Sequence, residues 1–424
     1  MRLLSFLIAL LSGVAVLSAA PDPTPFPTFP NKKGLQVQMV DDALALGIHH
    51  AGINVSYGSL LQLAAGPGTV PFTWEGRTWF INEGYAKSLD RQIRPLSEKG
   101  VAVYLILLAY PTNNPAKDAL LLHPAARADG KYTIAAFNTA TPEGITLYRA
   151  LTAFLAARYS NDGPKGRVWG YIIGNEVNSQ IMWYNLGRMT VDKAADEYEK
   201  AVRAAHEVVR QFSAHARCYL SFDHHWNTSV PGISKEEAYP TQTFLDYFAK
   251  IAKARGDFEW HLAHHPYPDD LGNPRTWLDA AALPTEHTPH ITFKNLEVAC
   301  HYQKRPELLW QGAPRRIILS EQGLHCLSTP DGEQLQAAGF AYVWEKVVRQ
   351  DGIDALIWHR HVDHAHEGGL RLGLWSFKPG TISEPDKKRQ FYDLFLKAGT
   401  PAWRAAAAFA LPITGLTSWD ELTK

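Results

Sequence analysis

Along the chain, short apolar runs alternate with longer stretches in which apolar residues return every three or four positions. The short runs are "GLQVQM" (34–39), "GIHHAGINV" (47–55), "VAVYLILL" (101–108), "VWGYII" (168–173), "CYLSF" (218–222), "WHLAHH" (260–265), "RIILS" (316–320) and "DALIWH" (354–359). They have the length and residue types of buried strands. Helical patterns stand between them; in "VDKAADEYEKAVRAAHEVVRQF" the apolar spacing is regular and Thr190 is placed to cap it. Eight strands alternating with helices predict a single closed (β/α)8 barrel, a TIM barrel, over 34–400, with 401–424 as a tail packing on or beside it. Two connections are long. Residues 56–82 hold a hairpin pattern, "FTWEGRTWFIN", turning at Glu75-Gly76, and 109–142 form a Pro/Asn-rich excursion. Both leave the C-terminal end of a strand and are expected to roof the face on which such barrels do chemistry.

The ends of the chain read differently. Met1-Arg2 precedes the apolar run "LLSFLIALLSGVAVL" and the small residues Ser18-Ala19-Ala20, the order of a secretory signal peptide over 1–20. A secreted or periplasmic protein is therefore expected, with no membrane association once the signal is removed. The segment "PDPTPFPTFPN" within 21–33 reads as an extended Pro-rich linker. Lys plus Arg equals Asp plus Glu at 42 each, and no basic run tracks phosphate, which argues against a nucleic-acid partner. Three separated Cys exclude a disulfide scaffold and leave room for one bridge. Most of the 13 Trp are expected in the core, while the flat apolar rings of the rest suit a sugar cleft.

In a barrel, chemistry belongs at the C-terminal ends of strands. Reading only those ends gives Asn54, Asn175-Glu176, His224-His225-Trp226, His264-His265-Pro266-Tyr267, Glu321 and Trp358-His359-Arg360-His361. Two acids, Glu176 after the fourth strand and Glu321 after the seventh, face one another across a closed ring of eight. Paired carboxylates are what glycosidic cleavage needs. One protonates the leaving oxygen and the other supports positive charge at the anomeric carbon.

"GNEVN" followed far downstream by "LSEQG", each closing a barrel strand, resembles clan A of the glycoside hydrolases. The resemblance implies Glu176 as general acid/base, Asn175 on the sugar 2-hydroxyl and Glu321 as nucleophile of a retaining mechanism. It also implies Tyr267, of His265-Pro266-Tyr267, near the nucleophile, and Trp358 as the floor of the sugar site. Asn54, His224, His265 and His359 complete the expected carbohydrate-binding set. The departure is Val177, where the clan often has Pro. No cofactor and no metal are expected.

Two rival readings use the same residues. His359, His361, His364 and His366, with Asp363, are material for a metal site, so a metal-dependent amidohydrolase barrel is the alternative enzyme. Against it, the first strand ends without His-x-His. A carbohydrate-binding barrel without catalysis is the third reading; the presence of both acids argues against it. Of the adjacent pairs His49-His50 and His224-His225, at least one member each is expected to point into packing, because side chains alternate along a strand.

Overall fold

Each apolar run becomes a barrel strand. The computed structural model describes residues 20–126 and 132–422; the expected signal peptide, but for its last residue, lies outside them. The strands are β1 (Lys33–Gln36), β2 (His50–Ser56), β3 (Ala102–Leu108), β4 (Gly170–Ile173), β5 (Arg217–Phe222), β6 (Trp260–His264), β7 (Ile317–Leu319) and β8 (Ile353–Trp358). They pair in chain order, all parallel, and β1 closes the ring onto β8, with Leu35 opposite both Trp358 and Ala51. Period-two alternation divides the side chains. Tyr104, Ile106, Leu108, Ile172, Tyr219, Ala263, Ile318, Ala355 and Ile357 fill the interior. Leu35, Val103, Leu105, Tyr171, Leu220, Leu319 and Leu356 face the helical layer outside. A parallel sheet buried on both faces explains why these runs are almost continuously apolar.

The Pro-rich segment is extended but it is not a free linker. It docks across the N-terminal end of the barrel. Phe29 packs on His50 with ring centroids 4.5 Å apart, Phe26 lies 5.6 Å from Trp169, and Arg217 covers Phe26 at 3.8 Å. Asp22 pairs with Arg167 at 3.0 Å. At the other end of the chain, Trp403 packs against Phe340 and Trp344 and donates to Glu345 at 2.7 Å. Cys218, Cys300 and Cys326 are buried free thiols.

The two long connections behave differently. The hairpin forms, Thr69–Trp74 against Arg77–Asn82, with Glu75 and Gly76 both at positive φ as a tight two-residue turn requires. Yet it does not roof the barrel. Its aromatic face lies on the outer layer, Phe72 against Phe154 and Trp74 against Phe212, while Arg149 pairs with Glu75. Its own apolar residues direct it there. The 109–142 excursion does return over the barrel mouth: Ile134 joins the interior cluster with Leu108, flanked by Tyr110 and Trp183.

Candidate active site

The end of β4 is shaped by two left-handed residues. Gly174 sits at φ 74°, and a Cβ there would lie 2.5 Å from the Tyr184 ring. Glu176 sits at φ 39°, ψ 54°, a conformation uncommon for a non-glycine residue and frequent at functional sites. Its amide donates to Ser221 Oγ at 3.0 Å. The Ser221 amide in turn donates to the Tyr198 hydroxyl at 3.1 Å, and that hydroxyl donates to the Ile173 carbonyl at 2.6 Å. Glu176 is thus placed by β4, β5 and the helix Val191–Val209 together.

Its carboxylate is turned inward, where Oε1 accepts from His265 Nδ1 at 2.9 Å; His265 Nε2 lies 2.9 Å from the Ser320 hydroxyl. Glu321 follows directly. Its Oε1 accepts from the Tyr267 hydroxyl and its Oε2 from Gln36 Nε2, each at 3.4 Å. An oxygen of Glu176, a ring nitrogen of His265 and an oxygen of Glu321 all lie within 4.8 Å of one another. Behind Gln36 a second chain runs outward: His359 Nδ1 is 2.7 Å from Gln36 Oε1, its Nε2 is 3.1 Å from Glu367, and Glu367 also pairs with Arg360.

The environments of the two acids differ. Glu176 is 8% exposed, and burial raises its pKa above the usual carboxylate range; the His265 hydrogen bond pulls it back, and the charges of Asp223 and Glu321 add to the rise. Burial alone would depress the His265 ring, but the Glu176 hydrogen bond and the charge of Glu321 outweigh it and raise its pKa. Glu321 is half-buried between two donors. Burial and the charge of Glu321 hold the Tyr267 phenol well above its ordinary pKa, so it remains a donor.

Of the residues singled out in the sequence, Glu176, His265, Tyr267 and Glu321 converge on one point. Asn175 precedes Glu176 and is 8% exposed, and Asn54 is exposed and shares an open cavity of about 410 Å³ with Gln36, Gly52 and Arg360. His359 does not face open space; both ring nitrogens are spent on Gln36 and Glu367. Trp358 is a correction. It is fully buried on the outer face of β8 against Phe340, Phe391 and Phe293, and its indole donates to the Leu372 carbonyl at 3.1 Å. Since Ile357 points inward, alternation sends Trp358 outward, and it cannot floor a sugar site. Of the first histidine pair, His50 is the one in packing, against Phe29. Of the second pair, His224 is the buried member; β5 ends at Phe222, and the two rings stack at 4.3 Å beside His290.

Sequence reasoning missed Gln36, Ser221, Asp223, His290, Ser320 and Glu367. Only Gln36 left a signal, a polar residue in register with Gly34 at the end of a lining strand. The His/Asp loop after β8 does not converge. His361 pairs with Asp42 at 2.8 Å, Asp363 with Arg389, and His359 with Glu367. Glu176, His265 and Glu321 have the residue types of a metal set, but neither His265 nitrogen is free to ligate. No helix among the described residues is long and apolar enough to cross a membrane.

The profile of the family described as "Family of unknown function (DUF5722)" matches residues 25–422. No curated protein matches the sequence. Among solved structures, the chain is similar to a family 39 glycoside hydrolase from Bacteroides cellulosilyticus WH2, with TM-score 0.55, 10% identity, 89% of this chain and 66% of that one covered. It is similar to a glucosidase from Croceicoccus marinus (TM-score 0.53, 12% identity, 89% and 69% covered). It is also similar to the family 1 β-glucosidase from Thermotoga maritima in complex with isofagomine lactam (TM-score 0.52, 13% identity, 85% and 86% covered). At these identities the likeness establishes the fold: a (β/α)8 barrel of the kind found in glycoside hydrolases.

Proposed function

Because the chain belongs to the family of unknown function DUF5722, whose description names no activity, we propose from the site itself that it is a glycoside hydrolase cleaving β-glycosidic bonds of a poly- or oligosaccharide with retention. One observation carries the reading: carboxylates from strands four and seven, distant in sequence, bring oxygens within 4.8 Å at the barrel mouth. That closeness favours the retaining spacing of about 5–5.5 Å between carboxyls over the roughly 6.5–9.5 Å that leaves room for a water.

Environment assigns the roles. Glu176, buried and raised in pKa, keeps a proton to give to the departing glycosidic oxygen, and His265 stands ready to steady the carboxylate left behind. Glu321, oriented by hydrogen bonds from Tyr267 and Gln36, attacks the anomeric carbon and forms the glycosyl-enzyme. Glu176 then takes a proton from the water that hydrolyses it. Asn175 and Asn54, at the mouth, are placed to bind sugar hydroxyls. We further infer export, from the N-terminal signal pattern, so that the substrate is met outside the cytoplasm.

The test is a panel of chromogenic β-glycosides and of plant and algal polysaccharides, run with wild type, Glu321→Ala and Glu176→Ala. Turnover by wild type and its loss in Glu321→Ala with folding intact is the expected result. Glu176→Ala should keep activity mainly on substrates with good leaving groups. Products of inverted anomeric configuration, or unimpaired Glu321→Ala, would refute the mechanism.

A further inference from the structure

Beside the acid pair stands a second cluster that this mechanism does not use. His224 and His225 leave β5, and His290 arrives from the loop after β6, where it forms an antiparallel bridge with His225. One ring nitrogen from each lies within 4.8 Å of the other two. The ring centroids are 4.3, 4.8 and 5.1 Å apart.

The hydrogen bonds decide what these rings can do. His225 Nδ1 donates to Asp223 Oδ2 at 3.0 Å, and His290 Nδ1 donates to Asp269 Oδ1 at 2.7 Å. Each ring therefore has its proton on Nδ1 and a lone pair on Nε2. A carboxylate behind an imidazole is the outer shell that metal-bound histidines characteristically have; it fixes the tautomer and strengthens the donor nitrogen. The third ring supplies independent evidence. His224 is 9% exposed, and its Nδ1 is buried without a hydrogen-bond partner among the described residues. A buried polar nitrogen without a partner is costly unless something binds it. Both supporting carboxylates are themselves held: Asp223 accepts from Asn178, Ser179 and the His225 amide, and Asp269 from the Ala281 amide.

We propose that His224, His225 and His290 form a three-nitrogen site for a divalent transition-metal ion of zinc type, with the fourth position open to water or a sugar hydroxyl. Three imidazoles select borderline ions such as Zn2+ over Mg2+ or Ca2+, which prefer oxygen donors. Zinc–nitrogen bonds of about 2.0–2.1 Å in tetrahedral geometry set the nitrogens roughly 3.4 Å apart, inside the 4.8 Å that bounds them here. The His225 and His290 side chains are 13% and 18% exposed, which leaves an entry path. The ion would clip the loop after β5 to the loop after β6. Through Asp223, bonded to Asn178 and Ser179, it would also brace the turn that carries Glu176.

The experiment uses the full chain without a polyhistidine tag, stripped with a chelator and re-equilibrated with Zn2+ or Co2+. Expected are about one equivalent retained through gel filtration and an intense tetrahedral visible spectrum with Co2+. The Tm should rise by about 3 °C at a hundredfold excess over Kd. His290→Ala should lose retention and spectrum, and Asp269→Asn should weaken binding about 10–100-fold. No retention by wild type, a weak octahedral cobalt spectrum, or unchanged binding in His290→Ala (an adventitious ion only) would overturn the proposal. Should His290→Ala not fold, the wild-type cobalt spectrum and Asp269→Asn decide the matter.

Discussion

Replacing Gly174 by Ala tests how the turn at the end of β4 holds Glu176. Two costs add. A Cβ at φ 74° puts a non-glycine residue in the left-handed region, at about 1–2 kcal/mol. The same Cβ would stand 2.5 and 2.6 Å from Cδ2 and Cε2 of Tyr184, a ring that is 1% exposed and wedged between Phe137 and Tyr198. Overpacking of that kind costs about 1–3 kcal/mol. The sum is about 2–5 kcal/mol, which for a chain of 424 residues corresponds to a fall in Tm of about 2–6 °C. Gly415→Ala is the matched control: φ is 77° and nothing lies within 4 Å of its Cβ, so only the backbone cost applies. Displacing Tyr184 also pushes Tyr198, whose hydroxyl links Ile173 to Ser221, and hence the Glu176 amide; turnover of the best chromogenic glycoside should drop with stability. Thermal denaturation of both variants alongside wild type, with initial rates, is the assay. If Gly174→Ala loses no more stability than Gly415→Ala, or keeps full turnover, the account of the turn is wrong.

Trp358→Phe should lower stability by about 1–3 kcal/mol, through the lost indole bond to Leu372 and the smaller ring, while leaving KM unchanged; a raised KM would restore Trp358 to the sugar site. His359→Ala should reduce kcat/KM about 10–100-fold without a matching loss of stability, because Gln36 loses the partner that aims it at Glu321; equal rates would show Gln36 to be positioned by other contacts. Stability should decline as pH falls below about 6.5, the ordinary histidine value. Burial pushes His50 down to about 3 and His206, His261 and His264 down to about 4, so the unfolded chain takes up protons that the folded one refuses. Each such group contributes a slope of up to about 1.4 kcal/mol per pH unit between its folded value and 6.5. Denaturant titrations at pH 7.5 and about pH 5 read the effect; a flat profile there would contradict it.

How much of this was legible beforehand varied with the physics of each element. The lining strands were plain because a parallel sheet buried on both faces needs uninterrupted apolar runs, and "VWGYII" and "RIILS" leave no other use for themselves. The acids were legible as breaks in those runs. Register was not. "DALIWHRH" carries aromatic and polar groups in succession, and only pairing of Leu35 with Trp358 decides that the Trp turns outward and His359 inward. His290 lies in a stretch with no hydrophobic period, 266–295, so nothing local ties it to His224; a fold is needed to bring them together. The Pro-rich segment looked solvated because prolines read as linker, whereas its two phenylalanines are what dock it.

That docking has a bearing on how the chain assembles during synthesis. Phe26 and Asp22 find Trp169, Arg167 and Arg217, and Lys32 reaches the carbonyls of Val347 and Gln350, so the anchoring sites of this stretch are spread from the middle of the chain to far beyond it. The Asp22 contact needs only 145 further residues, whereas the Lys32 contacts need the chain out to Gln350, 318 residues on. Prolines suit that delay, since they offer few amide donors to stray strands in the interim. The foot of the barrel is closed in full only once Val347 and Gln350 are there for Lys32 to reach.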